Sequence, residues 1–118
     1  YDGALPTWLA PEQVRVLPIS EKFLDYAEQV TKALQDNGIE ATIDRRNEKI
    51  GYKLRETRMQ KVPYALLIGQ KEQDEQLVSM WNRKDGDLGQ NTLQAFADAV
   101  CKEIRTKSVE LTIRKQAE

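Results

Sequence analysis

Residues 64–68 read YALLI, apolar at every position. A strand with no polar side chain has no face to give to water. It belongs in the interior of a sheet that is covered on both sides. The other segments of the chain are read around that demand.

Upstream, residues 14–19 (VRVLPI) form a short β-rich run, with Pro18 at an edge or just past the ladder. Ser20 is placed to cap a helix in which Phe23, Ala27, Val30 and Leu34 recur at spacings of 4, 3 and 4. Asn37 and Gly38 end it, Gly38 suiting a left-handed cap position. Residues 39–44 alternate, with Ile39, Ala41 and Ile43 on one side, so the first half reads β–α–β. A second helix is predicted over roughly 49–60, with Ile50, Leu54 and Thr57 facing the core and Pro63 closing it. Gly51 in its first turn marks either a close backbone approach or a tolerated cost. Gly69 ends the apolar run, and residues 70–76 (QKEQDEQ) read as a polar connection. Residues 77–83 alternate again, placing Val78 and Met80 on one face and Ser79, Trp81 and Arg83 on the other. Residues 84–86 (KDG) form a turn. Asn91 and Thr92 open the last helix, with Gln94 placed for a capping box if Asn91 is the cap. Its apolar stripe is Leu93, Phe96, Ala97, Val100, Cys101 and Ile104, which makes Cys101 a buried small hydrophobe.

The order β-α-β-α-β-β-α predicts an α/β domain with a mixed sheet flanked by three helices. Residues 1–13 form an irregular lead-in, 14–107 the domain and 108–118 a polar tail. The chain's abrupt start suits a piece excised from a longer protein. One core of this kind needs no disulfide at 118 residues. The chain has no His and a single Cys. That removes Ser–His and Cys–His nucleophilic pairs and disfavours a transition-metal site. It also argues for a reducing compartment. No apolar run approaches the ~20 residues of a membrane span, and there is no signal-peptide pattern at the start.

Charge is unevenly placed. Residues 44–61 (DRRNEKIGYKLRETRMQK) carry seven of the 18 basic residues and three acidic ones, in a chain with a formal net charge of −1. A local positive surface on an acidic domain selects and orients a polyanion; the plainer reading is a solvated helix face with pairs such as Glu48 near Arg45. In open α/β sheets ligands collect beyond the carboxyl ends of parallel strands. Residues 44–49 and 69–72 both fall there, adjacent if the second and third strands are neighbours. Arg55 lies five residues from Ile50, about 140° around the helix, and so points away from the core.

These residue types suit single-stranded nucleic acid. Asn47 offers a donor and an acceptor, Glu72 accepts from a base edge, and Arg55 and Arg83 bridge phosphate or carbonyl oxygens. Trp81 or Tyr52 can stack on a base. Each has a structural alternative: Asn47 as a helix cap, Glu72 as a solvated loop acid, Trp81 as a cover for the sheet.

The segments GALPTWLAPEQV, RRNEKIGYKLRE, KVPYALLIGQKE and DLG occur in that order between Gly3 and Gly89. Together they resemble the C-terminal anticodon-binding domain of threonyl-tRNA synthetase, a class II synthetase, and the similarity extends to about Ile104. The resemblance implies a five-stranded mixed sheet and a surface for the anticodon loop of threonine tRNA, read chiefly at its second and third bases, G and U. It carries base reading onto Asn47, Arg55 and Glu72, with Lys49 and Tyr52 at the border. Where the family usually has a base-contacting Arg, this chain has Trp81, with Arg83 two places on. Trp81 can stack but cannot make a bidentate contact. The resemblance further implies no cofactor in this domain. ATP, Mg and Zn belong to a separate catalytic domain of a cytoplasmic parent ligase, which dimerises through that domain. A protein-interaction domain on the same fold is the competing reading, favoured by an outward-facing Trp81.

Overall fold

The computed structural model describes residues 7–46, 48–82 and 86–106. Asn47 and Arg83 therefore lie outside the described residues, as does the tail assigned to 108–118. Five strands, β1 (Val14–Pro18), β2 (Ala41–Ile43), β3 (Tyr64–Ile68), β4 (Leu77–Asn82) and β5 (Gly86–Thr92), form one sheet in the order β2-β1-β3-β4-β5. β1 runs parallel to β2 and to β3, and the β3–β4 and β4–β5 pairs are antiparallel. Among the described residues four α-helices accompany it: α1 (Leu24–Asp36), α2 (Ile50–Met59), α3 (Gln70–Glu75) and α4 (Leu93–Thr106).

YALLI is β3, the central strand of the sheet, with Tyr64, Leu66 and Ile68 fully enclosed. These side chains join Val14, Val16, Val78 and Met80 on one face, and α1 and α4 close over them with Ala27, Val30, Leu34, Phe96, Ala97 and Val100. Each large apolar side chain buried this way contributes roughly 1.5–3 kcal/mol. Phe96 meets Tyr64 edge-on, ring centroids 5.8 Å apart, and the Tyr64 hydroxyl donates to buried Glu103 on α4 at 2.7 Å. The lead-in docks through a turn of 3-10 helix (Thr7–Leu9) packed on α4. Gln13 holds it, donating to the Thr7 carbonyl and accepting from the Glu40 N–H.

Several elements depart from the sequence reading. The connection 70–76 contains α3, whose polar residues give no apolar stripe; Glu72 makes it a helix by accepting the Gly69 N–H at 2.7 Å. A Cβ at Gly69 would stand 2.8 Å from Ile19 Cδ1 and 3.0 Å from Glu72 Oε1, so a side chain there would have to displace the end of Ile19 and crowd the carboxylate that caps α3. The second and third strands are not neighbours, because β1 lies between them. β5 is a mostly exposed edge strand, legible only through the family pattern. It bulges at Leu88: Met80 pairs with Gly89 and Trp81 with Asp87. Gly89 takes a positive φ of 89° beside it, a conformation glycine adopts without strain. Thr92, not Asn91, caps α4, its hydroxyl accepting from the Ala95 N–H. Cys101 is half-buried rather than buried, with Sγ toward the Asn37 carbonyl.

Candidate nucleic-acid interface

The second face of the sheet is closed only in part. Arg15, Leu17, Ala65, Leu67, Ser79 and Trp81 alternate with the core residues and point to this side. α2 covers the β1 end, where Arg15 donates to Thr57 Oγ1 at 3.4 Å and to Gln60. Leu67, Ser79 and Trp81 remain half-buried.

α2 is a weakly apolar helix, and its packing is correspondingly polar. Ile50 is half-buried, Lys53 and Thr57 are buried, and the helix meets the sheet through these polar groups. Lys53 Nζ donates to the Pro18 and Asp44 carbonyls, both at 3.3 Å, and so ties together the carboxyl ends of β1 and β2. A buried ammonium requires this compensation. One of the seven basic residues is thereby withdrawn from any ligand. Arg45 pairs with Glu28 of α1 at 3.1 Å, not with Glu48. Arg46 is held by Asp44 and Glu56. The Arg46 hydrogen bonds keep the Asp44 carboxyl below its ordinary range, against a smaller upward push from burial, and lower Glu56 in the same way. Their guanidinium partner is raised in turn.

Lys49, Arg55 and Arg58 are exposed cations. Lys49 stands at the cap position of α2 with extended backbone. Arg55 and Arg58 line an open cleft of about 500 Å³ with Gly51, Leu54, Met59 and Trp81. Trp81 forms the sheet side of the cleft and α2 the other. Nothing lies within 4 Å of a Cβ built at Gly51, so the glycine leaves space there instead of permitting a close packing contact. A second, smaller cavity beside Trp81 is lined by Leu54, Thr57, Arg58, Val62, Ala65 and Asn82. The indole thus reaches from the foot of α2 toward solvent.

Glu72 belongs to the same sheet face. Besides the Gly69 N–H, its carboxylate accepts from Ser79 Oγ at 3.3 Å and from Gln90 Nε2. It is buried, not a solvated loop acid. Tyr52 is 50% exposed, one ring face turned to Arg46. Arg55 and Trp81 are therefore brought together, Glu72 sits behind Ser79 two residues from Trp81, and Lys49 and Tyr52 mark the start of α2. Sequence reasoning passes over Arg58, three residues from Arg55 and on the same helix face, which the helical period would find. It also passes over Gln90, for which the sequence carries no signal.

Comparison with known proteins decides the family. The anticodon binding domain family matches residues 13–116. The chain belongs to the anticodon-binding domain family. The domain is 54% identical over 109 residues to a threonine–tRNA ligase of Caldanaerobacter subterraneus subsp. tengcongensis, covering 92% of this chain and 17% of the relative. It is 50% identical over 107 residues to that of Acetivibrio thermocellus, covering 91% and 17%. The anticodon-binding domain thus spans about a sixth of the length of these relatives. Its fold is similar to the RNA binding domain of threonyl-tRNA synthetase from Cryptosporidium parvum Iowa II. The TM-score is 0.79 at 29% identity, over 95% of this chain and 27% of that one. Among the described residues, no helix is long and apolar enough to cross a membrane.

Proposed function

We propose that this domain binds threonine tRNA by its anticodon loop and presents it to the separate catalytic domain of a cytoplasmic threonyl-tRNA synthetase. The observation that carries this reading is the cleft between α2 and β4, which combines two exposed guanidinium groups with an indole. Phosphate contacts place a strand and stacking accepts an unpaired base. Arg55 and Arg58 supply the first, Trp81 the second. Glu72 reads a base edge only by exchanging its bonds to Ser79 or Gln90. Lys49 and Tyr52 extend the surface at the start of α2, and the family resemblance adds Asn47 and Arg83 to the reading. Stacking by Trp81 reads a base less selectively than a bidentate Arg would, so specificity rests on the remaining polar groups. ATP, Mg and Zn belong to the catalytic domain, through which the parent enzyme forms its homodimer, and this chain alone does not aminoacylate.

The test is a titration of the 118-residue chain with an anticodon stem-loop of threonine tRNA and with one whose second and third anticodon bases are exchanged. Tighter, salt-sensitive binding of the first is expected. Equal affinity for both would remove base reading. Self-association that Trp81→Ala abolishes, without RNA binding, would favour the protein-interaction role. In a Trp8→Phe background, Trp81 fluorescence should change on adding the first hairpin.

A further inference from the structure

Among the described residues on the α2 face, Arg46 carries a dense set of polar contacts. Its backbone N–H and Nε donate to Asp44 Oδ1 at 3.1 and 3.0 Å, and Nη2 donates to Asp44 Oδ2 at 2.8 Å. The same guanidinium donates to both oxygens of Glu56, at 2.6 and 3.3 Å. Its central carbon stands 5.7 Å from the Tyr52 ring centroid. Asp44 follows β2 directly, and its own N–H is fixed on the Val16 carbonyl at 3.0 Å. Glu56 belongs to α2. One guanidinium therefore joins the carboxyl end of the sheet to the helix that carries Lys49, Tyr52 and Arg55. A single exposed ion pair would contribute little. Here two carboxylates and a ring face converge on one planar group, and the Asp44 side chain is only 7% exposed.

We propose that Arg46, clasped by Asp44 and Glu56, is a positioning residue for RNA, fixing the direction in which the start of α2 meets the strand. This rests on the α2–β4 face being the RNA face. It has a consequence opposite in sign to simple charge counting. Glu56 is an anion on a surface that binds a polyanion, so charge alone makes Glu56→Ala bind RNA more tightly. As the anchor of Arg46, Glu56 is required, and Glu56→Ala binds more weakly.

The experiment measures affinity of the 118-residue chain for the threonine anticodon stem-loop and for a scrambled hairpin of equal length. Glu56→Ala and Arg46→Lys, which keeps the charge but loses the fork, should each weaken the first by about fivefold, with the double variant little worse than either. Glu56→Gln, which retains an acceptor, should recover part of the loss. Exchange of the backbone amide at position 46, which donates to Asp44 Oδ1, should accelerate in the RNA-free chain of both single variants. Tighter or unchanged binding by Glu56→Ala overturns the proposal, as does unchanged exchange. A wild-type chain that fails to distinguish the two hairpins removes the RNA reading itself, and the clasp's role with it. The exchange result separates that case, because it needs no RNA.

Discussion

The two faces of one sheet are built to different rules. Under α1 and α4, the β-strands present Val14, Val16, Tyr64, Leu66, Ile68 and Val78, all fully enclosed. Under α2, the alternate positions of the same strands present Arg15, Leu17, Ala65, Leu67, Ser79 and Trp81, of which Leu17 and Ala65 are buried, with a lysine and a threonine as the buried residues of the covering helix. The first face is held by apolar area, which has no direction. The second adds to a smaller apolar patch a set of hydrogen bonds and ion pairs that fix orientation: Arg15 between Glu12, Thr57 and Gln60, Arg46 between Asp44 and Glu56, and Glu72 among Gly69, Ser79 and Gln90. The closed face sets how stable the domain is. The open face sets where its charged groups stand.

Substitutions should therefore divide cleanly by face. Phe96→Ala, on the closed face, should cost about 3–5 kcal/mol in urea unfolding. RNA affinity of the molecules that remain folded should hold. Arg55→Ala should do the reverse, losing about 1–3 kcal/mol of stem-loop affinity while the unfolding midpoint barely moves. Glu72→Ala is where the two rules meet. It leaves the buried Gly69 N–H without its acceptor and should cost about 1–2 kcal/mol of stability, and RNA affinity should fall with it. A stability-neutral Glu72→Ala would mean that its carboxylate is not what starts α3.

Acid sharpens the same contrast. Arg46 holds the Asp44 carboxyl low in the folded chain. Burial raises Glu12, but hydrogen bonds from Arg15 and Thr42 outweigh it, and the net shift is downward. A depressed folded value means a contribution that is complete above the unfolded value, near pH 4, and is lost as pH falls through the folded one. Stability should drop on acidification below about pH 4, and Arg46→Ala should make that drop shallower. Urea midpoints measured across that range check both statements. An unchanged pH profile in Arg46→Ala would uncouple Asp44 from it.

What is legible in the sequence follows the same division. The closed face announces itself, since the apolar periods of α1, β3 and α4 and the alternation in β4 are one-dimensional records of burial. The open face does not. The enclosure of Lys53 depends on two carbonyls, at the end of β1 and just past β2, that are distant in the chain. Glu72 meets Gln90, 18 residues on, only because β4 turns back into β5. α3 has no apolar stripe to betray it, and β5 has almost no apolar residues at all. Helical geometry places Arg55 correctly because its direction is a local property. The condition for setting residues 44–49 beside 69–72, that the second and third strands be neighbours, is not met, because strand order is a global property.

Backbone amide shifts of the 118-residue chain, followed while the threonine anticodon stem-loop is added, test the division most directly. Changes concentrated at Lys49, Tyr52, Arg55, Arg58 and Trp81, with α1 and α4 silent, are the expected result. Changes centred on α1 and α4, with α2 and β4 unmoved, would put the RNA on the wrong side of the sheet and contradict the account.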